Sequence, residues 1–231
     1  MQPDLVLPRV VAIGFNKCAT RSLAQLFAAA GHSVVHQKLP QPWRLSRALH
    51  GRRKLGGIMR SNNDNGRPVF AGVEQYVFYG DLIDSNRRSS FDGNRLFREI
   101  LKDYPNTILL LNWRNREDWI RSRLLHGHGE FAAREQRVRG LFSLDELCDV
   151  WRGEWDVHLS AVRDFMADRP EQLVEFNIDS DPIEQLIARL PAYALRAEYY
   201  GDIGRSRGRQ LPSWLKAAKH WLAHARPRAQ R

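Results

Sequence analysis

An apolar run near the start of the chain restricts the fold more than any other stretch. Residues Val10–Phe15 read Val-Val-Ala-Ile-Gly-Phe, the pattern of a strand that is buried on both faces of a parallel sheet. A short loop with Lys17 follows, and apolar residues then recur at helical spacing at Leu23, Leu26, Phe27 and Ala30. This spacing predicts a helix that begins near Thr20 and ends at Gly31. Because the backbone N–H groups at the start of a helix attract anions, the stretch predicts an anion-binding loop.

The rest of the chain alternates predicted strands with predicted helices. Strands are expected over 32–37, 76–82, 107–113 and 173–178, and helices over 94–104, 116–125, 143–167 and 182–190. Ser143 with Glu146 three positions later predicts a capping box at the start of the longest helix. The alternation predicts an α/β fold, a three-layer sandwich around a central, mainly parallel sheet. The length of 231 residues, without an internal repeat, predicts one domain over 1–231.

Two further segments depart from this alternation. Residues 51–67 are rich in Arg, Gly and Asn, and we expect them to form a mobile basic loop. Residues 213–226 carry an apolar stripe of Trp214, Leu215, Ala218, Trp221, Leu222 and Ala225. We favour a C-terminal helix that docks on the domain over a helix that binds a membrane surface or a partner.

The composition narrows the partners and the compartment. A net charge of +10 and an isoelectric point near 10.1 fit an anionic partner, such as a nucleotide or a sulfated polymer, as well as an arginine-rich surface. Only two cysteines are present, which argues against a disulfide framework. Because the first nine residues lack a secretory pattern and no apolar run reaches about 20 residues, we expect a soluble, cytoplasmic protein.

The loop is not the motif of nucleoside triphosphatases. That motif reads G-x-x-x-x-G-K-[ST], with four residues between two glycines and a lysine directly after the second. Here Lys17 comes three residues after Gly14, and the second glycine is missing. The sequence therefore argues against ordinary ATP hydrolysis.

The loop does resemble a known one. Its sequence, Asn-Lys-Cys-Ala-Thr-Arg-Ser-Leu over 16–23, is similar to the 5′-phosphosulfate loop of sulfotransferases that use 3′-phosphoadenylyl sulfate (PAPS), usually Pro-Lys-x-Gly-Thr-[Thr/Arg]-x-Leu. The resemblance implies a fold like that of P-loop nucleotide-binding proteins and a cofactor-binding loop made of Asn16, Lys17, Cys18, Ala19, Thr20, Arg21 and Ser22. It also implies that Lys17 acts in catalysis by supporting the bridging oxygen of the leaving group. Ala19 replaces the family's glycine, and alanine suits this position only if its φ is negative.

A second match lies 90 residues further on. In the same family, the strand after the middle helix ends in an arginine, and a serine follows eight residues later; together they bind the 3′-phosphate of PAPS. Arg114 and Ser122 have this spacing, and an arginine fork suits a phosphate. The alternative is a surface ion pair between Arg114 and either Glu117 or Asp118.

A third match is the segment Gly-Arg-Ser-Arg-Gly-Arg over 204–209. It resembles the late basic glycine loop of heparan-sulfate-type sulfotransferases, Gly-x-[Ser/Thr]-Lys-Gly-Arg. The resemblance implies that Arg207, Gly208 and Arg209 fold over the nucleotide and contact its 3′-phosphate.

The catalytic base is not part of these motifs. His36 at the end of the second predicted strand is the first candidate, because its ordinary pKa suits proton transfer at neutral pH. Asp81 at the end of the third strand is the second candidate, and Glu74 is a weaker one. His126 and His128 could suggest a metal, but two histidines without a third ligand nearby are a poor site. We therefore expect no metal.

The sequence as a whole favours a PAPS-dependent sulfotransferase that transfers a sulfuryl group to a hydroxyl or amine and releases 3′-phosphoadenosine 5′-phosphate (PAP). The acceptor is a small molecule or a glycan, in a pocket expected from residues 40–79 and 127–139, and no nucleic acid is expected. The alternatives are a P-loop kinase of nucleotides or small molecules and a non-catalytic protein that binds polyanions. No pattern in the sequence indicates the oligomeric state.

Overall fold

Five parallel strands form the centre of the protein in a computed structural model that describes residues 7–39 and 54–201. They are β1 (Arg9–Ala12), β2 (Val34–His36), β3 (Phe78–Gly80), β6 (Thr107–Trp113) and β7 (Leu173–Asn177), and an antiparallel hairpin lies beside them, β4 (Ile83–Ser85) with β5 (Ser90–Asp92). The strand order is β2-β3-β1-β6-β7, so β1 is central. Chain crossovers on both sides of β1 create a crevice at its carboxyl end.

Helices cover both faces of this sheet. They are α1 (Thr20–Ala29), α2 (Leu55–Asp64), α3 (Phe97–Asp103), α4 (Arg116–Leu124), α5 (Glu130–Val138), α6 (Leu144–Met166) and α7 (Ile183–Arg189). Helices α1 and α7 pack on one face, and the other face packs against α3, α4 and α6. The predicted α/β sandwich with a central parallel sheet is confirmed. None of the helices within the described ranges is long and apolar enough to cross a membrane.

The first strand shows why an unbroken apolar run marks a central strand. Val10 and Ala12 enter the core under α1, whereas Val11 and Ile13 enter the core on the opposite face, and all four are fully buried. The strand was predicted to continue to Phe15 but ends at Ala12, because the chain turns into the loop at Gly14.

The capping prediction for α6 is confirmed for Ser143, whereas the Glu146 carboxylate accepts a hydrogen bond from the backbone N–H of Phe142 at 2.8 Å instead of that of Ser143. Ser143 precedes the helix, and its Oγ accepts a hydrogen bond from the backbone N–H of Glu146 at 3.1 Å. Asn115 caps α4 in a similar way by accepting hydrogen bonds from the backbone N–H groups of Glu117 and Asp118. Such caps satisfy N–H groups that have no partner within the helix.

The prediction of a mobile loop over 51–67 is wrong for its described part. Residues 55–64 form α2, and Leu55, Ile58, Met59 and Asn62 are buried at helical spacing. A Cβ atom on Gly56 would lie 2.2 Å from the carbonyl oxygen of Leu82. The glycine that suggested a loop is therefore required for close packing of α2 against the chain beside β4.

Other differences concern elements without a strong local pattern. The hairpin of β4 and β5 and the helix α5 were not predicted, and the helix expected over 94–104 begins as a 3-10 turn at Gly93–Leu96. The basic glycine loop over 204–209 and the expected helix over 213–226 lie outside the described residues.

Candidate active site

The carboxyl ends of the parallel strands open into one cleft of about 960 Å³. The loop after β1, Gln37 after β2, Asp81 after β3, Arg114 after β6 and Asp179 after β7 all line it. Side chains that are far apart in sequence therefore meet here because parallel strands end at the same edge of a sheet.

Asn112 of β6 holds both ends of the loop after β1. Its Oδ1 accepts a hydrogen bond from the backbone N–H of Gly14 at 3.1 Å, and its Nδ2 donates to the carbonyl oxygen of Cys18. A Cβ atom on Gly14 would lie 1.8 Å from the Asn112 carbonyl oxygen. Glycine is therefore required where the loop crosses β6.

Side chains of two helices hold the same loop by hydrogen bonds to its backbone carbonyl oxygens. Trp119 of α4 donates its Nε1–H to the carbonyl oxygen of Asn16 at 3.0 Å. His158 of α6 donates its Nε2–H to the carbonyl oxygen of Ile13 at 2.8 Å. Burial lowers the pKa of His158 to about 4, so this histidine is neutral at physiological pH. The loop is thus held by side chains from a strand and from two helices.

Left-handed backbone is concentrated in the cleft. Among residues 7–39 and 54–201, six residues other than glycine have a positive φ, and four of them line the cleft: Lys17, Ala19, Gln37 and Asp81. Ala19 has a φ of +57°, so the condition under which alanine suits this position, a negative φ, is not met. Its conformation is one that L-residues adopt only at a cost in free energy. Strained backbone of this kind often marks functional sites.

Most residues of the predicted phosphosulfate loop face the cleft. They are Asn16, Lys17, Ala19, Thr20, Arg21 and Ser22. The Cys18 side chain is fully buried, and its burial raises the pKa of the thiol to about 12. The Oδ1 atom of Asn16 is buried without a hydrogen-bond partner in the described part of the chain, which leaves an acceptor at the cleft wall.

Arg114 and Ser122 line the same cleft as the loop, at the end of β6 and within α4. An ion pair of Arg114 was predicted as an alternative to phosphate binding, with one of the two acidic residues at the start of α4. Its partner is instead Asp179, whose Oδ1 lies 2.9 Å from Nη2 of Arg114. The other oxygen of Asp179 accepts a hydrogen bond from the backbone N–H of Asn115 at 2.9 Å. The guanidinium is therefore held at the end of β6.

The two candidate bases lie close together. Nε2 of His36 is 3.1 Å from Oγ1 of Thr20 and 3.9 Å from Oδ2 of Asp81. Burial, assisted by the charge of Arg21, lowers the pKa of His36 to about 4. The third candidate, Glu74, does not line the cleft; its carboxylate accepts a hydrogen bond from the backbone N–H of Gly72.

The carboxyl group of Asp81 has an unusual environment. Burial, assisted by the charge of Asp92, raises its pKa to about 7 against the opposing effects of Lys17, Arg123 and Lys54. Its Oδ1 is buried and has no hydrogen-bond partner among the described residues. Asp81 therefore changes its protonation state near neutral pH, in contact with the cleft.

Arg123 is a buried cation whose charge acts on Asp81, and its burial was not predicted from the sequence. Arg123 is fully buried, and its Nη2 is 4.0 Å from Oδ2 of Asp92. Its guanidinium lies over the rings of Trp119 and Trp151, at 4.8 and 4.5 Å from their centroids. An arginine in a helix with several charged neighbours normally indicates a solvated face, so the sequence offered no signal for this burial.

The two histidines that could suggest a metal lie in a turn after α4. His126 lines the cleft, and Gly127 and His128 both have left-handed backbone. The described residues contain no group of three or more His, Cys, Asp or Glu side chains that could hold a metal ion.

The sequence matches no family model and no curated protein. Among solved structures, the chain is similar to a sulfotransferase from Alicyclobacillus acidocaldarius, with 17% identity and a TM-score of 0.47. The alignment covers 94% of this chain and 92% of that one. A likeness of this size assigns no function to the chain.

Proposed function

We propose that the chain is a sulfotransferase that moves a sulfuryl group from PAPS to a hydroxyl or amine acceptor and releases PAP. One observation carries this proposal: the loop over 16–22 and the pair Arg114 and Ser122 line a single cleft. PAPS differs from ATP in carrying a phosphate at the 3′ position and a phosphosulfate at the 5′ position. Two separate anion-binding elements in one cleft suit such a ligand.

The 5′ end of the donor would bind at the start of α1. Backbone N–H groups of the first helical turn have no partner within the helix and favour an anion. Thr20 adds a hydroxyl at this point, and Lys17 and Arg21 add positive charge at the cleft wall. Lys17 would stabilise the charge that develops on the bridging oxygen as it leaves.

Asp81 is our choice for the base that takes the acceptor proton. With a pKa of about 7, its carboxylate is present at neutral pH and still binds a proton well, as efficient general bases do. His36 has a pKa of about 4 and is a weaker base. We therefore assign His36 to orienting Thr20, whose Oγ1 lies 3.1 Å from its Nε2, which reverses the order inferred from the sequence.

The reaction would be an in-line displacement at sulfur. The acceptor oxygen or nitrogen forms a bond to sulfur while its proton passes to Asp81. The bond between sulfur and the bridging oxygen of the 5′-phosphate breaks, and its electron pair stays on that oxygen near Lys17. PAP then leaves with the negative charge that the oxygen of its 5′-phosphate has gained, and Asp81 releases the acceptor's proton to solvent.

Isothermal titration calorimetry with PAP and AMP tests the proposal directly, because the two ligands differ only in the 3′-phosphate. We expect PAP to bind at least about tenfold more tightly, a difference of about 1.4 kcal/mol. Arg114→Ala should reduce the affinity for PAP to that for AMP. Equal affinities of the parent protein for PAP and AMP would contradict the proposal.

A transfer assay with ³⁵S-labelled PAPS tests the role of Lys17. Lys17→Ala should lose nearly all transfer, whereas Lys102→Ala, a change at an exposed position on α3 away from the cleft, should retain it. ATP turnover that depends on Mg²⁺ would instead support a kinase. Binding that weakens steeply with salt and ignores the 3′-phosphate would support a polyanion-binding protein.

A further inference from the structure

The wall of the cleft formed by α5 and β4 contains an arginine that has no described carboxylate partner. Arg134 lines the cleft, and among the described residues it forms no ion pair. Lys54, another cation of the cleft, differs in this respect because it pairs with Asp84 at 2.9 Å. Within residues 7–39 and 54–201, no carboxylate neutralises the charge of Arg134.

Arg134 is held in place by a buried network. Its Nε donates to Oγ of Ser85 at 2.9 Å, and the guanidinium lies over the Phe131 ring at 5.3 Å. Ser85 in turn donates to a carboxylate oxygen of Glu135, which is fully buried, at 2.6 Å. Lys54 donates to the backbone carbonyl of Ser85 at 2.6 Å. Because only Nε is used, both terminal NH₂ groups of Arg134 remain without a hydrogen bond to the described residues.

The strand β4 connects this arginine with the candidate base. Asp81 lies two residues before β4, and Ile83 and Ser85 are alternate residues within it, which share one side of the strand. All three line the cleft. Four residues of extended chain span at most ~13 Å. Three apolar residues, Ile83, Leu125 and Phe131, also line the cleft, and Phe131 lies next to Arg134. The cleft therefore offers apolar surface together with the charged groups Asp81 and Arg134.

We propose that Arg134 binds a carboxylate of the acceptor, so that the acceptor is a hydroxy or amino carboxylic acid with a short apolar or aromatic body. This inference rests on the proposed sulfuryl transfer. The free NH₂ groups of a guanidinium suit the two oxygens of a carboxylate. The apolar body would lie along Ile83 and Phe131, and the nucleophile would reach Asp81.

The inference is tested with pairs of acceptors that differ only in charge. A panel of aryl and alkyl hydroxy acids and amino acids, with 4-hydroxyphenylacetate among them, is compared with the corresponding primary amides in the ³⁵S transfer assay. We expect at least one acid to be sulfated with a kcat/KM about tenfold or more above that of its amide. Amides that react as well as their acids, or a panel without any substrate although PAP binds, would overturn the inference.

Variants at position 134 connect this preference with the arginine. Arg134→Gln should raise KM for the preferred acid about tenfold or more, with little change in kcat or in PAP affinity, and Arg134→Lys should restore part of the loss. Arg137→Gln, on the same helix but exposed and away from the cleft, should match the parent protein. An unchanged KM in folded Arg134→Gln would contradict the role of Arg134. Failure of the parent protein to prefer PAP over AMP would instead contradict the proposed function.

Discussion

The side-chain oxygen of Asn112 accepts a hydrogen bond from the backbone N–H of Gly14 at 3.1 Å, although the two residues are 98 positions apart. The amide nitrogen of the same side chain binds the other end of the loop at Cys18. A single buried amide in β6 thus sets the shape of the anion-binding loop that follows β1. The loop geometry is consequently a property of the sheet as much as of the loop sequence.

Asn112→Leu should therefore disturb both stability and binding. The substitution leaves a buried N–H and a buried carbonyl without partners, each costing ~1–3 kcal/mol. We expect the free energy of unfolding in urea to fall by about 2–4 kcal/mol and the affinity for PAP to fall with it. Asn63→Ala, at an exposed position on α2, should change stability by less than about 0.5 kcal/mol. Equal stabilities of the two variants would contradict the role of Asn112.

Ala19→Gly should stabilise the protein. The left-handed φ of +57° is unfavourable for alanine and accessible to glycine, so we expect a gain of about 0.5–1 kcal/mol in urea unfolding. Ala28→Gly provides a matched control, because Ala28 lies exposed in α1 and glycine weakens a helix by about 1 kcal/mol. Changes of the same sign in both variants would argue against strain at Ala19.

Asp81→Asn should lose transfer activity and gain stability at pH 8. The pKa of Asp81 is about 7 in the folded protein and near 3.8 when exposed, so the folded state holds this proton more tightly. The contribution of Asp81 to stability is therefore greatest below pH 4, decreases as the pH rises to 7, and is constant above that. We expect Asp81→Asn to be more stable than the parent protein at pH 8, by at most about 4 kcal/mol, and equally stable at pH 4.

Two measurements on Asp81→Asn check these expectations. Unfolding in urea at the two pH values measures the stability difference, and groups common to both proteins cancel in it. The ³⁵S assay should show nearly complete loss of transfer at pH 8. If Asp81→Asn were less stable than the parent protein at pH 8, burial of the Asp81 carboxylate would not destabilise the folded protein.

Asp92→Asn should move the pH profile of transfer towards lower pH. The charge of Asp92 raises the pKa of Asp81, and its removal makes Asp81 lose its proton at lower pH. The midpoint of kcat/KM against pH, which reports the free enzyme, measures the change. Asp103→Asn, a change of a carboxylate near Val69 on the far end of α3, should leave the midpoint in place.

Arg123 and Asp92 should be coupled in stability. Arg123→Met removes one partner of a buried pair and leaves the buried carboxyl group of Asp92 without its counter-charge, a loss that costs about 3–5 kcal/mol. The double variant Arg123→Met with Asp92→Asn should be more stable than Arg123→Met alone, since no unpaired charge is left. Additive losses in urea unfolding would show that the two side chains act independently.

The central part of the fold could be predicted because its signals are local. The apolar runs of β1 and β6 and the capping box of α6 each depend on neighbours within a few positions. The helix α2 could not be predicted, because Gly56 reads as a loop residue until the backbone of Leu82 lies against it. Such a contact depends on the three-dimensional packing.

In the candidate site, too, some features follow from local sequence and others from contacts between distant residues. The spacing of Arg114 and Ser122 within a strand and helix could be read from the sequence, and both line the cleft. The partner of Arg114 is Asp179, 65 positions away, and no local pattern connects the two. The sequence likewise could not distinguish Arg123 in the core from an arginine on the surface, since Phe131 and Trp151, two of the rings around it, come from other helices.

The four left-handed residues of the cleft also affect how the protein should respond to heat. Lys17, Ala19, Gln37 and Asp81 keep conformations that their own side chains disfavour, so the surrounding sheet has to hold them. A modest weakening of that sheet would let these residues relax before the core opens. On gradual warming, ligand binding and activity should therefore decline at a lower temperature than the helical signal of the whole protein.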